Sequence, residues 1–357
     1  MKQLLLYCRA GFEKDCAAEI QDKAAQHEVF GYCKLSNHSA YVIFEAYDSE
    51  ALVHFFRTFA LSQLVFARQW CLLLEPLLEL QPHDRVSTVL DAAATHELQG
   101  CGQLRVEYPE TNDGKTLSTL ARKLTVPLRL ALRNQGALTA KERDDKPVLH
   151  LFLLSGSEAM LGLSYPKNNS PLENGIMRLK SPKDAPSRST LKLEEAFLTF
   201  IPASERPQRL APGMRAVDLG ASPGGWTYQL VRRSMMVTAI DNGPMDPALM
   251  ESGQVKHLQV DGFKFQPAKQ NVYWLVCDMI EKPDRVAMLI CDWLSNGWCQ
   301  ESIFNLKLPM KKRYEMVEQV LEQVHLRLHE AGIRYQLQAK HLYHDREEVT
   351  VHIQRKS

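Results

Sequence analysis

Short apolar runs alternate with amphipathic stretches along the whole chain, and the rhythm changes near residue 165. Before that point Leu4 to Tyr7, Val29 to Leu35 and Tyr41 to Phe44 have the length and apolar content of strands, while Glu13 to Ala25 and Ser49 to Phe59 space their apolar residues as helices do. A long strand near Leu64 to Leu74 opens a second set. It continues with a helix at Asp84 to Ala94, a strand at Gln103 to Glu107, a helical stretch from Thr116, and paired strands at Val148 to Leu154 and Ala159 to Tyr165. The pattern predicts two small α+β sets in succession, without internal repeats or low-complexity tracts.

Between Tyr165 and Arg215 the chain is polar and broken by prolines, in Pro166-Lys167-Asn168-Asn169-Ser170-Pro171 and again in Leu179-Lys180-Ser181-Pro182-Lys183-Asp184-Ala185-Pro186. Such a segment is predicted to join domains rather than to form core. From Arg215 onward strands are predicted at 215–219, 237–240, 255–260, 273–277, 302–307, 335–341 and 348–353, alternating with helical patterns. That alternation predicts a doubly wound α/β sheet.

Composition narrows the class. Apolar residues make up 45% of 357, enough for two or three domains, and 43 Lys plus Arg balance 42 Asp plus Glu. The apolar run that opens the chain is cut at Arg9, too soon for a signal peptide. Phe66 to Leu80, the most apolar segment, is interrupted by Arg68, Glu75, Pro76 and Glu79, so no membrane span is expected. The eight cysteines include no C-x-x-C pair, which points to reduced thiols in a cytoplasm and to no metal site. From Thr116 to Asn134 there is no acidic residue, and Arg122, Arg129 and Arg133 fall opposite Leu117, Leu120, Leu124, Leu128 and Ala131 on a helical wheel. A cationic ridge of this kind suits a phosphate backbone, although Pro127 is expected to kink or split the helix.

The most informative stretch is Arg215-Ala216-Val217-Asp218-Leu219-Gly220-Ala221-Ser222-Pro223-Gly224-Gly225-Trp226, where a strand runs into a glycine-rich turn that opens a helix. Gly220 to Gly224 fits the G-x-S-x-G elbow of serine hydrolases, with Ser222 as nucleophile and a base such as His341. The residue after that serine is Pro223, however, which has no N–H for an oxyanion hole. A dinucleotide site lacks its G-x-G-x-x-G spacing. A nucleoside cofactor without phosphate remains, its amino-acid end against Gly224 and Gly225 and its ribose hydroxyls on an acid at the next strand end, where Asp241 stands.

On these residues the chain resembles the Rossmann-fold S-adenosylmethionine-dependent methyltransferases, and Asp-Leu-Gly-Ala-Ser-Pro-Gly-Gly-Trp is close to the motif of their ribose 2′-O-methylating branch. The resemblance implies cofactor contacts at Ser189, Ser222, Pro223, Gly224, Gly225 and Asp241, with Asp261 toward the adenine end and Asp278 by the methionyl end. It also implies a Lys-Asp-Lys-Glu tetrad at Lys192, Asp278, Lys307 and Glu348, in which Lys307, at the end of an apolar strand, is the expected proton acceptor. The sign of its pKa shift is open, because desolvation and Lys192 oppose Asp278 and Glu348. Glu347 and Glu348 must face opposite sides of a strand, and the local Arg-Glu-Val pattern favours Glu348.

Base methylation is the rival reaction. The position after the fourth strand reads Asp278-Met279-Ile280-Glu281, without the prolines and aromatic ring of amine methyltransferases. Cys277, Cys291 and Cys299 are the thiols available for cytosine C5 chemistry, and Cys277 and Cys291 end apolar runs. An inactive RNA-binding or ribosome-assembly factor should carry a broken tetrad or loop, and neither is broken. Over its full length the chain resembles a bacterial family that 2′-O-methylates a cytidine in large-subunit (23S) ribosomal RNA. That family joins a ferredoxin-like unit and a THUMP RNA-binding module to the methyltransferase. The implied layout is a ferredoxin-like unit at 1–60, THUMP at 61–166, a linker at 167–186 and the methyltransferase at 187–357, acting on ribosomal RNA rather than DNA.

Overall fold

The computed structural model describes residues 1–356 and divides into two compact units, one from Met1 to Ile176 and one from Met177 onward. In the first, the elements are β1 (Gln3–Tyr7), α1 (Glu13–Gln26), β2 (Gly31–Leu35), β3 (Tyr41–Ala46), α2 (Ser49–Thr58), β4 (Gln69–Glu79), α3 (Arg85–Thr95), β5 (Gln103–Glu107), α4 (Asn112–Lys115), α5 (Ser118–Gln135), β6 (Val148–Leu153) and β7 (Glu158–Ser164). All seven strands share one sheet in the order β2-β3-β1-β4-β7-β6-β5. The long strand β4 joins the two α+β sets, pairing Leu72 with Leu4 of β1 on one edge and with Leu163 of β7 on the other.

Strand β4 begins at Gln69 rather than near Leu64 because the buried Glu19 carboxylate accepts the backbone N–H groups of Val65 and Phe66, and satisfies donors that a sheet neighbour would otherwise take. Helix α5 runs unbroken through Pro127, which lies on its exposed side, while Ala121, Leu124, Leu128 and Leu132 are buried. The expected split is absent, since packing of that apolar stripe outweighs one lost backbone bond. Arg122 is exposed, Arg133 is half-buried, and Arg129 lies 3.5 Å from Glu142, so the ridge is partly neutralised.

The segment 167–176, within the polar connection, is fastened to the first unit. The Asn168 side chain donates to the carbonyls of Phe56 and Phe59 (2.9 and 2.8 Å) and accepts from the N–H of Leu61 (2.8 Å). The Asn174 N–H donates to Glu107 at 2.8 Å. Glu107 is fully buried and also receives Tyr7 and His150, while the other ring nitrogen of His150 meets Ser164 at 2.7 Å. Removing one member of such a buried cluster typically costs about 3–5 kcal/mol.

The second unit contains α6 (Thr190–Phe200), α7 (Arg206–Arg209), β8 (Arg215–Leu219), α8 (Gly225–Val231), β9 (Met236–Ile240), α9 (Pro247–Glu251), β10 (Val255–Leu258), β11 (Trp274–Cys277), α10 (Pro283–Ser295), β12 (Glu301–Lys307), α11 (Arg313–Glu330), β13 (Tyr335–Lys340) and β14 (Glu348–Arg355). The sheet order is β10-β9-β8-β11-β12-β14-β13, with β14 antiparallel to both neighbours and the remaining pairs parallel. Chain order reverses between β8 and β11, so the loops after those strands diverge and leave a crevice at the carboxyl edge. Ala216 and Val237 turn one face toward Leu193, Phe197, Trp226 and Leu230 of α6 and α8. Strand β10 ends at Leu258, short of the expected residue 260, and its crossover to β11 contains no helix. Among the described residues no helix is long and apolar enough to cross a membrane.

Candidate active site

Strand β8 delivers the glycine loop to the crevice. Gly220 has a φ of +78°, and a Cβ there would lie 2.7 Å from Cγ of Met279. At Gly225 a Cβ would lie 2.1 Å from the Ser189 hydroxyl, so glycine is required where the start of α6 seats against the loop. Ser189 does not cap α6 as a serine in that place would suggest; its hydroxyl pairs with that of Ser187 at 2.6 Å. The Ser222 hydroxyl donates to the carbonyl of Pro244 and not to a histidine, which removes the hydrolase reading.

Three acids surround the loop. Asp218 is fully buried; its Oδ2 accepts from Thr227 at 2.7 Å, and its Oδ1 has no partner. Burial pushes this carboxyl up to about 7, and the charges of Asp278 and Asp241 add to the shift. Asp241 accepts the N–H groups of Ser222 (3.1 Å) and Gly243 (2.7 Å), which fixes the loop and leaves each oxygen a further lone pair. Asp261, by contrast, is exposed, lies beyond the end of β10 and accepts the N–H of Phe263 at 2.9 Å, the role of an acid that closes its own turn.

Four side chains converge from α6, β12, β14 and the end of β11. Lys307 Nζ lies 2.5 Å from Asp278 Oδ1 and 2.6 Å from Glu348 Oε2. Lys192 Nζ lies 3.3 Å from Asp278 Oδ2 and also pairs with Glu348 Oε1. Antiparallel pairing sets Lys307 directly opposite Glu348, and strand alternation turns Glu347 outward to Arg313. Burial pulls the Lys307 ammonium down, but Asp278 and Glu348 outweigh it and hold its pKa above the ordinary lysine value. Burial likewise raises Glu348, and Lys192 and Lys307 reverse the sign, leaving it below the usual carboxylate range.

Behind the cluster lies a second layer that sequence reasoning missed. Asn305 donates to Asp278 Oδ1 at 2.9 Å, and its carbonyl oxygen lies 2.9 Å from the Thr350 hydroxyl. Thr350 also contacts both oxygens of Asp345, at 3.0 and 2.9 Å, and Asp345 is fully buried. Glu195, one turn along α6 from Lys192, accepts the N–H groups of Tyr343 and His344 and ties the 341–347 loop to that helix. The available signal was a polar Asn305 inside the apolar run Ile303 to Leu306, since a buried amide must find partners.

The fold and site define a class: residues 185–330 match the family of FtsJ-like methyltransferases. Residues 1–71 match the RlmM ferredoxin-like domain, and residues 84–165 match the N-terminal domain of Ribosomal RNA large subunit methyltransferase M. The curated protein of that name from Photorhabdus sp. (strain Az29) is 56% identical over 99% of this chain and 97% of its own length. That from Yersinia enterocolitica serotype O:8 / biotype 1B (strain NCTC 13174 / 8081) is 56% identical over 99% and 96%. The chain therefore belongs to the Ribosomal RNA large subunit methyltransferase M family. A solved structure, TrmN from Thermus thermophilus, covers 100% of both chains at 14% identity, and its TM-score of 0.36 is too low to carry an argument.

Proposed function

We propose that this protein transfers the methyl group of S-adenosylmethionine to the ribose 2′-oxygen of a cytidine in 23S ribosomal RNA, in the cytoplasm. The observation that carries the reading is the meeting of Lys192 and Lys307 with Asp278 and Glu348 at the carboxyl edge beside the glycine loop. S-adenosylmethionine, when bound, supplies a methyl group on a sulfonium, which is electrophilic without further activation. The residues fit that group: the unpartnered Asp218 Oδ1 near the strand end can accept from an amino group, and Gly220, at a φ of +78°, and Gly224, at +120°, turn the chain tightly beside it. Ser189, Ser222 and Pro223 complete the wall, and Asp241 can accept ribose hydroxyls. Asp261, exposed just past β10, can accept toward the adenine end while it holds its turn.

A ribose hydroxyl is a poor nucleophile, so its proton must be held and then removed in line with transfer. Lys307 is placed for both tasks, and Lys192 and Glu348 hold it in register with Asp278. In the resting protein Lys307 is an ammonium and can only orient the hydroxyl. A further cation brought to the same carboxylates competes with that ammonium and lowers its pKa, which makes the neutral, proton-accepting form available. Cytosine C5 methylation is disfavoured because burial pushes the Cys277 and Cys291 thiols up to about 12, away from the thiolate that chemistry needs. The test is incubation with labelled S-adenosylmethionine and total ribosomal RNA, followed by nucleoside analysis. Label in 2′-O-methylcytidine supports the proposal; label on a base, or in no RNA, overturns it.

A further inference from the structure

In a doubly wound sheet each face is covered by the helices of its crossovers. Here one face of β8 and β9 packs on α6 and α8 through Ala216 and Val237, and Val255 of β10 continues it against Tyr228 and Leu249. By strand alternation the opposite face carries Arg215, Met236, Thr238 and Lys256, and the register Val217–Thr238–Lys256 aligns its rungs. The helix-free crossover 259–273 lines the open part of that face through residues 265–269, 271 and 272. The result is an open cleft of about 510 Å³ whose far wall includes Phe265 and Lys269, and Phe265 is backed by Trp293 of α10 with ring centroids 6.1 Å apart.

The charge of this cleft is one-sided. Its lining contains Arg215, Lys256 and Lys269 and no Asp or Glu. All three cations are exposed, and none has a carboxylate partner among the described residues. The chain as a whole is nearly neutral, at +1, so an acid-free groove is a local feature. Unpaired cations along a groove, an aromatic ring in one wall and an exposed Met236 in the floor form the combination that holds single-stranded nucleic acid: phosphates on the cations, a base against the apolar surface. Arg215 stands four residues before Leu219, so the cleft begins about 13 Å along the strand from the glycine loop.

We propose that this cleft at the start of β8 to β10 is a second RNA-binding site that anchors a single-stranded part of the substrate away from the reacting ribose. The inference rests on the RNA methylation proposed above and adds a surface to it. In the full chain, the triple substitution Arg215→Ser, Lys256→Ser and Lys269→Ser should weaken binding of a single-stranded RNA oligonucleotide about tenfold or more. The slope of log affinity against log salt should fall by up to about 2, since each phosphate contact contributes about 0.7. KM for RNA should rise, with S-adenosylmethionine affinity and the thermal midpoint retained. Phe265→Ala should lower RNA affinity without changing the salt slope. Unchanged RNA affinity and slope in the triple variant overturn the site, including the case in which an acidic protein is its real occupant. A parent enzyme that binds the oligonucleotide but methylates no ribosomal RNA defeats the proposed function instead, and the two failures are read separately.

Discussion

The protonation of Lys307 sets how the cluster works. Asp278 and Glu348 hold it as an ammonium, and even an ordinary lysine, with a pKa near 10.4, is neutral in fewer than about one molecule in a thousand at pH 7. If Lys307 is the base, single-turnover methyl transfer should rise about tenfold per pH unit from pH 7 until the pKa of the bound complex is reached. Lys307→Ala should lower the rate by about 10²–10⁴-fold while cofactor affinity is retained, and Lys307→Arg, which keeps charge but cannot deprotonate, should not restore it. A pH-independent rate would show that Lys307 only orients the hydroxyl. The donors behind it run in one direction. Asp278 accepts from Asn305, so the Asn305 oxygen must accept from Thr350, and Thr350 has no second proton for Asp345. Burial and the nearby charges of Glu348 and Glu195 push the Asp345 carboxyl well up, which favours the protonated form that can donate to Thr350. Asp345→Asn, whose amide can donate in its place, should keep near-parent activity, whereas Asp345→Ala should lower transfer at least tenfold and cost about 1–3 kcal/mol of stability. A carboxyl whose folded pKa is raised contributes stability below its unfolded value near 3.9 and loses it as pH rises. Urea unfolding should accordingly find Asp345→Asn at least as stable as the parent at pH 7, with the advantage shrinking toward pH 4.

Helix α5 carries a proline in its interior and still forms because its buried stripe supplies what propensity withholds. Pro127→Ala should stabilise the first unit by about 1–2 kcal/mol, the helical gain being offset in part by a more flexible unfolded chain, and hydrogen exchange of α5 amides should slow accordingly. Most elements were legible from periodicity alone: β5 has the predicted ends, and α1 and α3 differ by a residue or so. What could not be read was fixed by partners distant in sequence. Glu19 decides where β4 starts, Asn168 and Asn174 decide that half of a proline-rich connection packs as structure, and the pairing of β4 with both β1 and β7 makes one sheet of two α+β sets. In the site, Lys192, Asp278, Lys307 and Glu348 could be named because they match, in order, the Lys-Asp-Lys-Glu pattern of the methyltransferases the chain resembles. Asn305, Thr350 and Asp345 could not, because their roles arise from the antiparallel register of β12 and β14. The rule that acids at strand ends cap turns describes Asp261, while Asp241 and Asp278 are held by more distant residues as well.

The whole chain divides its work between a sheet that carries the chemistry and a sheet that contains none of the cluster residues. Residues from Met177 on hold all four members of that cluster, the glycine loop and the cleft on β8 to β10. The first unit contributes Arg122 and Lys123 on an exposed helix face and a mixed-charge exposed loop at 141–146, while its His150, Glu107 and Ser164 cluster is sealed. Its contribution to a methyltransferase should thus be affinity for RNA. Lys180 and Lys183 are exposed in the connection, whereas by Asp184 the chain is fixed again through the Tyr228 hydroxyl at 2.8 Å. Brief trypsin treatment should therefore cut first near Lys180 and release two fragments. The C-terminal fragment has a complete sheet and core of its own, so it should keep S-adenosylmethionine affinity within about threefold while its KM for ribosomal RNA rises by about 10²-fold or more, the loss expected when several phosphate contacts go. Calorimetric titration of the purified fragment with the cofactor, beside methyl transfer at increasing RNA, separates the two quantities. A fragment as efficient on RNA as the intact chain would mean that the first unit serves something other than substrate binding.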